Sequence, residues 1–504
     1  MKKYLLEIIV FIAGMSIMVF ELVGSRILAP YVGTTIMVWS ALIGVILAFL
    51  SAGYWWGGRI ADRKADYKYF CGIIFMAGVS VGLTALIKIP VINFLDQYFR
   101  SFQWEAVWIS IVLFGPASFF LAAVSPYAVR LRLSSVKESG EIVGGLYAIS
   151  TIGSIVGTFL TGMVLVPLVG NTKILFALAA VLLFASVLAY RQSWLKARVA
   201  VLALVLILPF FSSRIDYYFI PLNFVNSAYM DIAVAEDIYS YVDPETGATV
   251  SRQVIEMYTS PTAIQSAIFA DGSDELVLEY SKLFRVLPKF FHPNVEKALL
   301  IGGAGYTAAK DFLNQNTEGT IDVVEIDPKM TEIAKKYFNL EEGPRLGIYH
   351  EDGRTYLNKN KKKYDLVMVD AFHAFIAPYQ LTTLEAVQKI HNSLNDDGIA
   401  MINIYQSING DGGKFFRAEY ATFKEIFPQL YVFRVQSPDL DTVQNLILIA
   451  TKSSERRDML SDNEEVAQYL QRAWDGEVDD DMPILTDDFA PTEHYMASAR
   501  EMTK

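Results

Sequence analysis

The chain has 504 residues, 53% of them hydrophobic, a single cysteine and a formal net charge of −11. That length exceeds one hydrophobic core, and the lone Cys71 excludes disulfide frameworks and thiolate metal clusters. The charge is divided: residues 1–213 carry 16 Lys+Arg against 8 Asp+Glu, for +8, leaving −19 for the remainder, so the acidic second half excludes a nucleic-acid partner, which needs basic patches, and suits a small, cationic substrate.

Seven apolar runs open the chain, at about 5–28, 36–57, 70–89, 106–129, 142–166, 173–190 and 199–213. Most are long enough to cross about 30 Å of hydrocarbon as helices, and the last, at 15 residues, is short. A bundle of about seven spans over residues 1–213, in a multi-pass cell-membrane protein with lipid around it, is the expected architecture. Basic residues cluster in alternate loops (Lys2 and Lys3; Arg59, Arg63, Lys64 and Lys68; Arg130, Arg132 and Lys137; Arg191, Lys196 and Arg198), which the positive-inside rule assigns to the cytoplasm. Seven full crossings would then carry the second half outside. Supply of small-molecule co-substrates argues instead for the cytoplasm, and the sequence leaves the side open with that lean. Glu21 and Arg26 sit within or at the end of the first span, where ionisable groups are expensive unless paired; their five-residue spacing points them at different helices, and structural contacts are the expected role.

From about 214 to 275, aromatic and β-branched residues alternate with polar ones around the turn Asp243-Pro-Glu-Thr-Gly247, which reads as a small β-hairpin domain. Residues 276–504 then repeat strand, turn and helix. Strands are expected near 297–302, 320–326, 346–350, 364–370 and 398–404, followed by an antiparallel hairpin at 430–435 and 443–451. This is a doubly wound, methyltransferase-like (Rossmann-like) α/β sheet, whose ligands lie at the carboxyl ends of the strands.

Those strand ends hold the chemistry. The first gives Gly302-Gly303-Ala304-Gly305-Tyr306, whose glycines let backbone donors approach a ligand. Glu325 ends the second, 22 residues after Gly303, near the spacing of a carboxylate that accepts from both ribose hydroxyls. The third ends in Asp352-Gly353, a carboxylate for an adenine amino group with room for the ring, and the fourth in Asp370-Ala371-Phe372-His373. With no phosphate-binding lysine or P-loop spacing, the expected ligand is an uncharged or sulfonium-bearing nucleoside. His292, His350, His373, His391 and His494 lack metal-ligand spacing, so no metal is expected.

Taken in order and spacing, Ser227–Asp231, Glu279-Tyr280-Ser281-Lys282, His292-Pro293-Asn294, the glycine loop, Glu325-Ile326-Asp327, Asp352-Gly353 and Tyr364–Asp370 resemble spermidine synthases over about residues 226–452. The helix bundle and the tail Leu485–Pro491 resemble that family's membrane-embedded members. The resemblance implies an aminopropyltransferase that takes decarboxylated S-adenosylmethionine as co-substrate, with no permanently bound cofactor and a small amine as acceptor. Asp370 matches the proton acceptor for the attacking amine, Tyr280 a tyrosine lining the amine channel, Glu325 the ribose ligand and Asp352 the adenine ligand. The family's habit of dimerising implies a homodimer. The departures are specific. Gly305 and Tyr306 stand where the family has an aspartate and the residue after it, Ser281 replaces a glutamine, and His373, expected to line the pocket, replaces a second acid. These losses leave open an S-adenosylmethionine-dependent methyltransferase, or a degenerate nucleoside-binding module coupled to a transporter or sensor.

Overall fold

The computed structural model describes residues 2–32, 36–99, 101–133, 139–189, 194–208, 222–227, 229–242, 248–259, 264–372 and 377–503. The chain forms two compact units, Met1–Ile220 with Val225–Asp231, and Pro221–Phe224 with Ile232–Lys504. His373 and the turn at 243–247 lie outside the described residues.

The first unit is helical: α1 (Lys2–Val32), α2 (Ile36–Arg63), α3 (Tyr67–Asp96), α4 (Phe102–Arg132), α5 (Ser139–Leu160), a π-helical turn (Thr161–Leu165) continuing into α6 (Val166–Leu168), α7 (Asn171–Ala189) and α8 (Leu195–Ile207). Six of the helical stretches are long and apolar enough to cross a membrane. The seventh apolar run differs: α8 has 13 residues, about 20 Å at 1.5 Å per residue, less by itself than the hydrocarbon thickness. Small residues set the packing. A side chain at Gly53 or Gly57 on α2 would run into the backbone of Phe119 or Ala123 on α4, and one at Gly153 or Gly157 on α5 into the backbone of Phe11 or Met15 on α1. Where lipid tails are as apolar as leucine, such close approach is what dispersion forces require to hold helices together.

The second unit begins with a small sheet, β1 (Asn223–Asn226), β2 (Asp231–Val242), β3 (Thr249–Tyr258) and β4 (Ile264–Phe269), in the order β1-β2-β3-β4. The alternating pattern of the sequence thus extends one strand beyond a simple hairpin on each side. After α9 (Glu279–Phe291) come β5 (Lys297–Ile301), α10 (Thr307–Gln315), β6 (Thr320–Val324), α11 (Pro328–Tyr337), β7 (Leu346–Tyr349), α12 (Gly353–Lys359), β8 (Tyr364–Val369), α13 (Leu384–Ser393), β9 (Leu394–Gln406), α14 (Lys414–Lys424), β10 (Gln429–Arg434), β11 (Gln444–Thr451), α15 (Glu464–Leu470), β12 (Ala473–Trp474) and α16 (Thr492–Thr503). The eight-stranded sheet runs β12-β10-β11-β9-β8-β5-β6-β7. Strands β5 to β9 are mutually parallel where they pair, and β11 and β10 add antiparallel. Strands β5 and β8 are neighbours, and the chain leaves their shared carboxyl ends in opposite directions across the sheet. That switch point opens a crevice. Leu299, Ile301, Val367, Val369, Ile402 and Ile404 form one face of a fully buried core with Phe415, Phe416 and Phe423 of α14.

The C-terminal tail is part of this interior. Leu485 is fully buried, its N–H donating to Thr422 Oγ1 (2.9 Å) and its carbonyl accepting from Leu384 N (2.8 Å). Asp487 accepts from Arg354 Nη2 (2.7 Å) and Thr383 Oγ1 (2.7 Å). Asp481 pairs with the buried guanidinium of Arg417. The carboxylates of the tail are thus bonded into the domain at Arg354, Thr383 and Arg417.

Candidate active site

The turn after β5 is built tightly. Gly302 has φ of +97°, and a side chain there would collide with the Asp370 carbonyl, so only glycine lets the ends of β5 and β8 meet. Ala304 (+43°) and Tyr306 (+58°) also have left-handed backbones, each costing about 1 kcal/mol or more for a residue with a Cβ. What holds the turn in that form is Glu325, 5% exposed at the end of β6. Its Oε2 accepts from Gly303 N (2.8 Å) and Ala304 N (3.0 Å), and its Oε1 from Asp327 N (2.9 Å). Burial pushes its pKa up against the pull of these three amides. The carboxylate thus organises the glycine loop, and a carboxylate's four lone-pair sites leave acceptor capacity for a further donor.

Tyr306, one of the departures from the expected pattern, and Ser266 fill the space around the loop. Tyr306 is fully buried, its hydroxyl sharing a hydrogen bond with Thr331 Oγ1 (2.7 Å), which in turn meets His350 Nε2 (2.9 Å). Gly305 donates its N–H to Ser266 Oγ of β4 (2.9 Å), and a Cβ at 305 would lie 2.6 Å from Ser266 Cβ. Ser266 has taken the room that an acidic side chain at 305 would need.

Asp352 is the N-cap of α12, its Oδ1 accepting from Thr355 N (2.9 Å) while Oδ2 accepts from Gln380 Nε2 (3.3 Å). A side chain at Gly353 would sit 2.7 Å from Ile301 Cγ2, so that glycine lets α12 start against the end of β5.

Asp370, just beyond β8, is held from both sides. Oδ1 accepts from Asn403 Nδ2 (2.9 Å) and Oδ2 from the Tyr280 hydroxyl (3.1 Å). Asn403 is fixed by Asn445 Nδ2 (3.0 Å), and Asn445 by Gln436 (3.1 Å), a chain of amides running across β9 and β11. Burial raises the Asp370 carboxyl above its ordinary range, with Asn403 and Tyr280 opposing the rise. The Tyr280 phenol is itself pushed well up by burial and by the neighbouring carboxylate, so it stays a donor. A carboxylate of raised basicity, with both oxygens oriented and lone pairs to spare, can take a proton from a polar substrate.

The structure therefore brings Gly302, Gly303, Gly305, Glu325, Asp370 and Tyr280 around one turn, and places Asp352 and Gly353 at the head of α12 against the same strand. Asn403, Asn445 and Ser266 were not among the residues picked from the sequence. An asparagine inside an otherwise apolar strand, as in Ile402-Asn403-Ile404, is the one signal that could have flagged the first of them, because an amide buried there needs a partner.

Residues 278–458 match the family described as spermine/spermidine synthase domain. A polyamine aminopropyltransferase of Vibrio vulnificus is 23% identical over 243 residues, 45% of this chain and 79% of that protein. One from Alkaliphilus metalliredigens is 24% identical over 194 residues, 38% of this chain and 68% of that protein. Among solved structures, a probable spermidine synthase from Corynebacterium glutamicum aligns with a TM-score of 0.40 at 20% identity, covering 50% of this chain and 85% of the other.

Proposed function

We propose, from the premise that residues 278–458 are a spermine/spermidine synthase domain, that this chain is a membrane-bound transferase moving an aminopropyl group from decarboxylated S-adenosylmethionine to a small amine. The observation that carries the reading is Asp370, held between Tyr280 and Asn403 beside the glycine loop. An amine with a pKa near 10 is mostly protonated at neutral pH. In the proposed reaction Asp370 accepts the proton, the freed lone pair attacks the carbon next to the sulfonium, the new C–N bond forms as the C–S bond breaks, and methylthioadenosine leaves as a neutral thioether. Glu325 and the loop amides would orient the ribose and Asp352 the adenine.

One observation favours a second reading. With Ser266 against Gly305, the turn has no acid to grip a primary ammonium on the donor's tail, and a donor whose tail bears a carboxylate meets no repulsion there. That donor is S-adenosylmethionine, and the reaction methyl transfer. The test is product analysis by the full-length protein with each donor and a panel of amines, with Asp370→Asn as control. Methylthioadenosine formed from the decarboxylated donor and lost in Asp370→Asn supports aminopropyl transfer. S-adenosylhomocysteine formed from S-adenosylmethionine alone supports the second reading, and binding of either donor without turnover supports a nucleoside-binding module serving the helix bundle.

A further inference from the structure

The bonds at the helix ends sort the bundle into two poles. At one pole, where α1 starts and α4 ends, Arg132 pairs with Glu7 (2.6 Å), Arg130 with Asp62 (3.2 Å), Tyr127 donates to the Lys64 carbonyl, and Arg198 at the start of α8 donates to the Ser186 carbonyl near the end of α7 (2.8 Å). At the other pole Gln103 meets Met37 (3.0 Å) and Lys88 donates to Thr172 (2.7 Å), joining the starts of α4 and α2 and the end of α3 to the start of α7. Arg26, towards the C-terminal end of α1, belongs to this second pole. It donates to the carbonyls of Ser227 (2.7 Å) and Tyr229 (2.9 Å), in the Val225–Asp231 segment that packs as part of the bundle. Whatever path residues 208–222 take, the chain enters α8 at the first pole and is held by Arg26 at the second.

Charge distinguishes the poles. Of the 13 Lys+Arg among the described residues of the bundle, ten lie at the N-terminus and helix ends of the first pole (Lys2, Lys3, Arg59, Arg63, Lys64, Lys68, Arg130, Arg132, Lys196 and Arg198), and only Arg26, Lys88 and Lys173 fall elsewhere. Such a bias fixes orientation, with the basic pole cytoplasmic. Beyond Asp231, no helix among the described residues is long and apolar enough to cross back.

We infer that the α/β unit is extracytoplasmic: the chain enters α8 at the basic, cytoplasmic pole, and Arg26 holds Ser227 and Tyr229, just ahead of β2, at the opposite one. This reverses the cytoplasmic placement favoured by co-substrate supply. It rests on the transferase reading only for its consequence, which is that donor and acceptor amine would both be drawn from outside the cytoplasm.

The test needs no turnover, so its failure and that of the transferase reading are separable. Cys71 is the only cysteine and is buried, which makes the parent chain the blank. Single cysteines are introduced as Ser454→Cys, exposed on the α/β unit, and Ala65→Cys, exposed between α2 and α3. Intact cells are then treated with a membrane-impermeant maleimide. The expected result is that Ser454→Cys labels equally before and after permeabilisation, whereas Ala65→Cys labels only after it. Protection of Ser454→Cys until the cells are opened would overturn the inference. If either variant fails to accumulate, alkaline phosphatase fused after Lys504 replaces it: activity in intact cells agrees with the inference, and an inactive but full-length fusion refutes it.

Discussion

Replacing Asn403 by leucine removes one of the two donors to Asp370 while keeping a side chain of similar size in β9. A hydrogen bond to a charged group contributes about 1.5–3 kcal/mol, so loss of the 2.9 Å bond removes about that much support from the ionised form and raises the Asp370 pKa further above the level that burial already imposes. The proton acceptor works only when ionised. The acid limb of kcat/KM therefore moves to higher pH, so that on that limb the variant falls about tenfold or more below the parent, while the rate above the limb stays within a few-fold. The assay is methylthioadenosine release by the full-length protein across pH, with the most active amine. An acid limb that does not move, with activity otherwise intact, would refute the assignment of Asp370 as the titrating base. A uniform loss at every pH would mean that Asn403 acts only in holding the strand.

Three further outcomes follow from the same geometry. Gly305→Asp does not fit the acid that the resemblance to spermidine synthases implies at this position, because its Cβ would sit 2.6 Å from Ser266 Cβ; it destabilises by about 1–3 kcal/mol, typical of overpacking, and Gly305→Asp with Ser266→Gly recovers most of that loss in thermal unfolding. Asp352→Asn keeps the α12 cap, since asparagine caps as well as aspartate, and so leaves the unfolding midpoint unchanged while weakening methylthioadenosine binding in calorimetry; Asp352→Ala loses both, at about 1 kcal/mol for the cap. Glu419 on α14 is fully buried with no partner for either oxygen, and its pKa is raised well above the ordinary range. Above the ordinary carboxylate pKa the unfolded chain has released this proton while the folded one retains it, so the Glu419 contribution to stability falls as pH rises from about 4.5 towards the folded pKa. Glu419→Gln should flatten that slope and raise the midpoint at pH 8; an unaltered slope would show that another group sets it.

Strand positions in the α/β unit were legible because a parallel sheet buries both faces, which leaves continuous apolar runs such as 297–302 and 364–370 against the observed Lys297–Ile301 and Tyr364–Val369. The strand-end residues followed from topology alone. What the sequence did not disclose was the use of those residues by one another. Glu325 reads as an open carboxylate, yet three backbone amides already bond it, those of Gly303 and Ala304 in the loop and of Asp327 two residues on. The partners of Asp370 lie 33 residues later and 90 residues earlier, on strands and helices that only the folded sheet brings alongside. In the bundle, hydropathy located the helices, but the length of α8 and the hold of Arg26 on Ser227 and Tyr229 depend on where helices stop, which apolar composition does not mark.

The seat of Leu485 bears on how the protein is made. The matched domain ends at residue 458, yet Thr422, Leu384, Thr383 and Arg354 all take partners from residues 485–487. Domains tend to fold as units while the chain emerges. Here the unit lacks a piece of its own core until translation has passed residue 487, so a chain released slightly earlier would carry an unfilled interior and an Arg354 without its carboxylate partner, a ready target for quality-control proteases.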